Sequence, residues 1–240
     1  MLRQVAIRLL GRPLFGDLRS LLFAATDLIR RVGLRVVRRR MLVARPGDGC
    51  LVNIGCGTLT REGWVNIDQA IRPDVTYADI REGIPMASGS ASHIHSEHFI
   101  EHLDYEDGKR LLGECFRVLQ PGGTLRVITP DLERYIRAYV TNDEKFFREL
   151  RHLGGHQAGL RTPAETINHA CRMGGAHRFL WDFSTLKLVL QEAGFVDVVR
   201  SCHSAMSPPL DIDGSDFWRK LESLYANARK PGTTTSLSPD

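Results

Sequence analysis

The densest chemistry in the chain lies in one decapeptide, His93-Ile-His-Ser-Glu-His-Phe-Ile-Glu-His102, which holds four histidines and two glutamates. Within it, His98-x-x-Glu101-His102 matches an inverted zinc-peptidase spacing, in which two histidines one helical turn apart share a metal. That arrangement needs a long helix beneath it. This segment instead reads as the end of a β-strand, so no metal is expected. His98 then stands at a strand end where an acceptor hydroxyl could approach, which makes it the candidate general base. His102 reads as a buried, hydrogen-bonded histidine, and Ser96 and Glu97 as positions beside a cofactor. A second polar group, His169, His177 and Arg178, precedes a late helix and suits recognition of a hydroxyl-rich or anionic substrate. His177 is a further candidate for catalysis, while Phe179 and Trp181 in the same stretch read as core.

A glycine turn supplies the other constellation. Asn53-Ile-Gly-Cys-Gly57 follows an apolar strand, Asp68 ends the next strand, and Asp79 with Ile80 ends the one after. In open α/β sheets ligands bind beyond the carboxyl ends of the strands, where glycines let backbone amides approach. A carboxylate at Asp68 can accept both hydroxyls of a ribose, and one at Asp79 can meet an adenine amino group. Either aspartate alone could simply cap a turn. Three consecutive strand ends carrying glycines and carboxylates point to a nucleoside site. A dinucleotide fingerprint would place a third glycine near Thr60, so NAD and FAD fit poorly.

The elements that must position these residues alternate. Strands read at Leu51–Ile54, Trp64–Asp68, Val75–Asp79, Ala91–Ser96, Thr124–Thr129 and Phe195–Val199. A helix capped by Asp104 runs to the Pro121-Gly-Gly123 stop, and a last helix spans Ser184–Ala193. Such alternation signifies an open, mostly parallel α/β sheet. Seven residues separate Gly57 from Val65, too few for a helical crossover. The first helix must shrink to a turn, leaving one sheet face underdressed.

Asn53-Ile-Gly-Cys-Gly57, Gly63-Trp-Val-Asn-Ile-Asp68, Glu101-His-Leu103, Arg117-Val-Leu-Gln-Pro-Gly-Gly123 and Pro130-Asp-Leu-Glu133 together resemble a Rossmann-like S-adenosylmethionine-dependent methyltransferase. The resemblance covers roughly residues 50–200 and is closest to the small bacterial, type 11-like group often associated with surface-polysaccharide genes. It implies a seven-stranded sheet whose last strand is antiparallel, and S-adenosylmethionine as cofactor. It also implies that Gly55, Cys56 and Gly57 line the methionine moiety, Asp68 the ribose, and Asp79 with Ile80 the adenine. Asn53 stands where many such enzymes carry an acid near the methionine ammonium, which weakens the electrostatic pull there. The acceptor it suggests is a hydroxyl of a glycan, glycolipid or small molecule.

Charge divides the chain. Residues 1–45 hold eleven arginines against Asp17 and Asp27, while the remainder carries more acids than bases, so the formal net charge is only +4. The arm suits basic amphipathic helices, and three roles stay open: docking on the body, contact with an anionic membrane surface, or a cleaved targeting peptide. The acidic body argues against nucleic acid. The division expected is an arm over 1–45, a catalytic domain over 46–230 and a disordered tail over 231–240. No apolar run reaches membrane-spanning length, and five cysteines without a C-x-x-C suit a reducing, cytoplasmic setting, with peripheral membrane contact through the arm left open. A methyltransferase fold without turnover, serving as a binding module at a membrane surface, is the alternative from another class. An aminopropyl transferase would need more acids at its centre than Glu97 and Glu101.

Overall fold

A computed structural model of the chain describes residues 47–70, 72–153, 157 and 159–232. The arginine-rich arm, with its three possible roles, and the tail beyond residue 232 lie outside the described residues.

One sheet organises the rest. Its strands are β1 (Cys50–Ile54), β2 (Val65–Asp68), β3 (Thr76–Tyr77), β4 (Ala91–Glu97), β5 (Leu119–Pro130), β6 (Val196–Arg200) and β7 (Ser223–Arg229), in the order β3-β2-β1-β4-β5-β7-β6. The first five run parallel, and β7 lies antiparallel between β5 and β6. This is the seven-stranded, mostly parallel Rossmann-like sheet that the sequence predicts. Two readings need correction. The third strand is two residues long rather than Val75–Asp79, because Asp79 already caps a 3-10 turn at Ile80–Glu82. The helix after Asp182 is not the last, since another precedes β7.

Helices flank the sheet: α1 (Tyr105–Val118), α2 (Leu132–Val140), α3 (Glu144–Leu153), α4 (Pro163–Arg172), α5 (Phe183–Glu192) and α6 (Phe217–Glu222). α1 starts where Asp104 accepts the Asp107 amide at 2.9 Å, and it buries Leu111, Leu112, Cys115 and Val118 at helical spacing. α5 is capped the same way by Asp182 and buries Leu186, Val189 and Leu190. Ile54, Ile67, Ile94, Leu125 and Val127 complete this core, with Trp181 fully buried beside it. A second, smaller core joins α2, α3 and α4 through Tyr135, Phe146, Phe147, Leu150 and Ala170. Among the described residues no helix is long and apolar enough to cross a membrane.

The chain leaves β1 toward β2 and β3 on one side, whereas β4 and β5 lie on the other. The topological switch point therefore falls between the carboxyl ends of β1 and β4, where such sheets hold ligands. Residues 58–64 form turns without a helix, as the short connection requires.

One sheet face is polar. Strand register places Asn66, Asn53, His95, Arg126 and Asn227 side by side across five strands, so their side chains share a face. His93, two residues from His95, is on that face too, hydrogen-bonded through Nδ1 to Thr124 Oγ1 at 2.7 Å and met edge-on by Trp64. Burial, reinforced by the neighbouring His95 and Arg126, lowers the His93 pKa to about 3 against the attraction of Asp213. The folded protein thus keeps His93 neutral, whereas the unfolded chain takes up a proton as pH falls through 6.5. Stability present above that pH is lost progressively below it, by roughly 2 kcal/mol at pH 5. Thermal melts of the wild type and His93→Gln between pH 7.5 and 5 would show it: the wild-type melting temperature falls more steeply. Parallel slopes would remove His93 as the cause.

Candidate active site

A cavity of about 200 Å³ opens at the switch point. One wall is the glycine turn, Gly55 to Leu59, and the other is the end of β4 with His95, Glu97 and His98. The turn can be tight because both glycines adopt positive φ, +68° at Gly55 and +51° at Gly57. Asp68 holds the turn from behind: its carboxylate accepts the Gly57 amide and the Ala70 amide, each at 2.9 Å. Asn53 is buried, and its Nδ2 donates to Leu59 O at 3.0 Å and to Asn66 Oδ1 at 3.2 Å, tying the loop to β1 and β2. Burial, reinforced by the Asp68 charge, raises the Cys56 thiol pKa to about 11, so it lines the cavity as a neutral group.

Glu97 is the charged element of this wall. Burial alone would raise its pKa, but His95, Arg219 and the Gly214 amide hold it down at about 2. The carboxylate is thereby pinned by two segments, β4 and the 201–222 stretch, and Arg219 is carried to the cavity. Ile212 and Arg61 complete the lining, with Arg61 donating to Ile212 O at 3.0 Å.

Four candidates for the cofactor site lie off this wall. Asp79 binds Arg81 through both carboxylate oxygens at 2.8 and 2.7 Å, Ile80 packs in the core, and Ser96 Oγ is buried in the sheet without a hydrogen-bond partner. Asp68 also stands behind the turn rather than on the lining. Asn53, Gly55, Cys56, Gly57 and Glu97 are brought together as read.

His98 sits at the junction with a second cavity of about 210 Å³, and Arg219 also borders both. Its φ of +48° is unusual for a residue with a side chain and turns the ring inward from the end of β4. Nε2 pairs with Ser223 Oγ at 2.8 Å, Nδ1 lies 3.3 Å from Glu101 Oε1, and Trp218 meets the ring edge-on. Burial would lower the His98 pKa, but the nearby carboxylate of Glu101, with Glu222 behind it, leaves it raised.

The second cavity is also lined by Glu101, His102, His169 and His177, with Gln157 and Glu222 at its base. Gln157 donates to Tyr135 Oη and Glu222, and Tyr135 donates to Glu222, a buried network that raises the Tyr135 pKa through burial. Burial lowers the His177 pKa. His169 and His177 thus line one cavity, while Arg178 is exposed and off both linings. His102 is half-buried rather than buried, because only its Ala176 and His177 side is covered. Sequence reasoning missed Arg61, His95, Ile212 and Arg219. His95 and Arg61 carried a signal, a polar residue breaking an apolar strand and a cation beside the glycine turn. Ile212 and Arg219 carried none, since the 201–222 segment has neither periodicity nor motif.

Residues 53–127 match a family described as a methyltransferase domain, type 11. A probable S-adenosylmethionine-dependent methyltransferase of Mycolicibacterium smegmatis is 31% identical over 110 residues, covering 42% of this chain and 42% of that protein. The chain therefore spans less than half the length of that curated relative. Solved structures of similar fold include a SAM-dependent methyltransferase from Archaeoglobus fulgidus, 17% identical with a TM-score of 0.45, covering 88% of this chain and 99% of that one. Another is phosphoethanolamine N-methyltransferase 2 of Haemonchus contortus in complex with S-adenosyl-L-methionine, 14% identical with a TM-score of 0.47, covering 84% and 52%. Over residues 53–127, which hold the glycine turn and the strand ends around it, the chain is similar to a methyltransferase domain, and over 110 residues it is similar to a probable S-adenosylmethionine-dependent methyltransferase.

Proposed function

We propose that the protein is an S-adenosylmethionine-dependent methyltransferase acting on an oxygen of a glycan, glycolipid or small molecule. The observation that carries this reading is the pair of adjoining cavities, one under the glycine turn and one among the histidines, which share His98 and Arg219. Donor and acceptor need such a junction, because alignment of two bound reactants can supply about 7–11 kcal/mol of barrier lowering.

The residues present suit the cofactor. Two glycines at positive φ leave the turn with no Cβ on either side of Cys56, and the Asp68 carboxylate retains lone pairs beyond the two amides it accepts. Bound here, S-adenosylmethionine supplies an electrophilic methyl group on a sulfonium. Gly55, Cys56 and Gly57 would hold its methionine end, the acceptor side of Asn53 its ammonium, and Asp68 its ribose. His98 stands at the junction, with Nε2 paired to a hydroxyl, Ser223, which supports it as the group that would receive the proton of an acceptor hydroxyl; a positioned base typically contributes 10²–10⁴-fold. The histidines and half-apolar lining of the second cavity favour a neutral, hydroxyl-bearing acceptor over a strongly anionic one, since Glu101 and Glu222 border the same space.

Calorimetric titration of the full chain with S-adenosylmethionine tests this reading, with Asp68→Ala beside it. The wild type should bind at micromolar levels. The variant loses both the ribose acceptor and the tie on the Gly57 amide, so its affinity should fall at least tenfold, about 1.4 kcal/mol or more. A folded wild type that does not bind ends the enzyme reading.

A further inference from the structure

We propose that the second cavity holds a divalent transition cation, bound by Glu101, His102 and His177. These three residues each offer a ligand atom, and the three atoms lie within 4.8 Å of one another. The set is not the His98-x-x-Glu101-His102 helix pattern legible in the sequence. His98 is outside it, and its third member comes from the far end of the loop after α4. It shares Glu101 and His102 with that pattern and rests on the fold bringing His177 beside them.

Two observations point to a ligand. Glu101 is fully buried, and its Oε2 accepts the Thr129 hydroxyl at 3.1 Å. Its Oε1 is also buried but accepts no well-formed hydrogen bond; His98 Nδ1 lies 3.3 Å away without donating in line. A buried carboxylate oxygen left this way is costly unless a cation or proton meets it. The histidines are prepared on the other side. His102 donates through Nδ1 to Ala176 O at 3.1 Å, and His177 donates through Nδ1 to Ala170 O. Each bond to a carbonyl requires the proton on Nδ1 and leaves Nε2 as the lone-pair nitrogen. In metal sites a backbone carbonyl commonly accepts the other ring N–H of a ligand histidine and so fixes its tautomer.

The donor set selects the ion. Two imidazoles and one carboxylate suit zinc, cobalt, nickel or iron(II), whereas magnesium and calcium prefer oxygen alone. Bonds of about 2.0–2.1 Å place tetrahedral ligand atoms roughly 3.3 Å apart, so the side chains need to close by up to about 1.5 Å. His102 and His177 are half-buried and border a cavity of about 210 Å³. Three protein ligands leave a coordination position open, and if the methyltransferase reading holds, an acceptor hydroxyl would occupy it.

The test uses the full chain dialysed against a chelator, titrated with Co2+ under visible absorption and with Zn2+ by calorimetry. One ion per chain and the intense d–d bands of four- or five-coordinate cobalt are expected. His177→Ala, half-buried and away from the sheet, should weaken binding at least about tenfold. His152→Ala, an exposed histidine on α3, serves as the control and should change nothing. No binding by the folded wild type, or binding that His177→Ala leaves intact, overturns the site. A parallel titration with S-adenosylmethionine separates the two readings: metal without cofactor sinks only the methyltransferase, and cofactor without metal sinks only the cation.

Discussion

Gly55→Ala should cost roughly 2–5 kcal/mol of stability and abolish S-adenosylmethionine binding. Two effects add at this position. The backbone sits at φ +68°, where a residue with a Cβ pays about 1–2 kcal/mol. A Cβ built there would also fall 2.2 Å from Phe99 Cγ and 2.4 Å from its Cβ, and overpacking of that kind typically costs about 1–3 kcal/mol. Gly57 separates the terms. Its φ is +51°, yet a Cβ there meets nothing within 4 Å, so Gly57→Ala should show the backbone penalty alone. Adding Phe99→Ala to Gly55→Ala should recover the overlap share of the loss and leave the backbone share. Chemical denaturation of the four proteins measures all of this. Equal losses for Gly55→Ala and Gly57→Ala, or no recovery in the double variant, would mean that Phe99 does not brace the turn.

The parts of the fold written in local pattern were legible. β1 runs as a short apolar strand into Gly55 and Gly57, Asp104 caps α1, and the helix from Phe183 keeps its apolar spacing, so sheet class and glycine turn follow from the residues alone. α2, α3 and α4 did not stand out. α2 leaves Ile136, Tyr139 and Val140 exposed, which blurs its apolar stripe, and these helices pack on one another rather than on the sheet. β7 is Ser-Leu-Tyr-Ala-Asn-Ala-Arg, a weak strand sequence that only its place between β5 and β6 makes a strand. The site divides in the same way. The Gly55–Gly57 turn and His98 are local, whereas His177 beside His102, or Arg219 on Glu97, needs contacts across 75 and 122 residues that no window of sequence contains.

The polar row across the sheet shows how far such non-local pairing reaches into the site. Arg126 is fully buried in the middle of β5, and it donates to Asp213 through Nε at 2.7 Å, to Asn227 at 2.9 Å and to Cys202 O at 2.8 Å. Asp213 is 1% exposed, so this is a desolvated ion pair clamping the 201–216 segment onto the sheet. That segment supplies Ile212 to the cofactor cavity and the Gly214 amide to Glu97. Arg126→Met should therefore strand a buried carboxylate and cost about 3–5 kcal/mol, a melting-temperature drop of roughly 6–20 °C for a chain of this size. Cofactor affinity should fall with it, because the loop that closes the cavity loses its anchor. The double variant Arg126→Met/Asp213→Leu removes both charges and should recover much of the stability, since a well-packed apolar pair can replace a buried ion pair at little loss. Its cofactor affinity should stay low, because apolar packing does not restore the directional bonds to Asn227 and Cys202 that set the loop's position. A single variant that melts within 2 °C of the wild type would show that Asp213 reaches solvent, and the 201–216 segment would then be no fixed wall of the site.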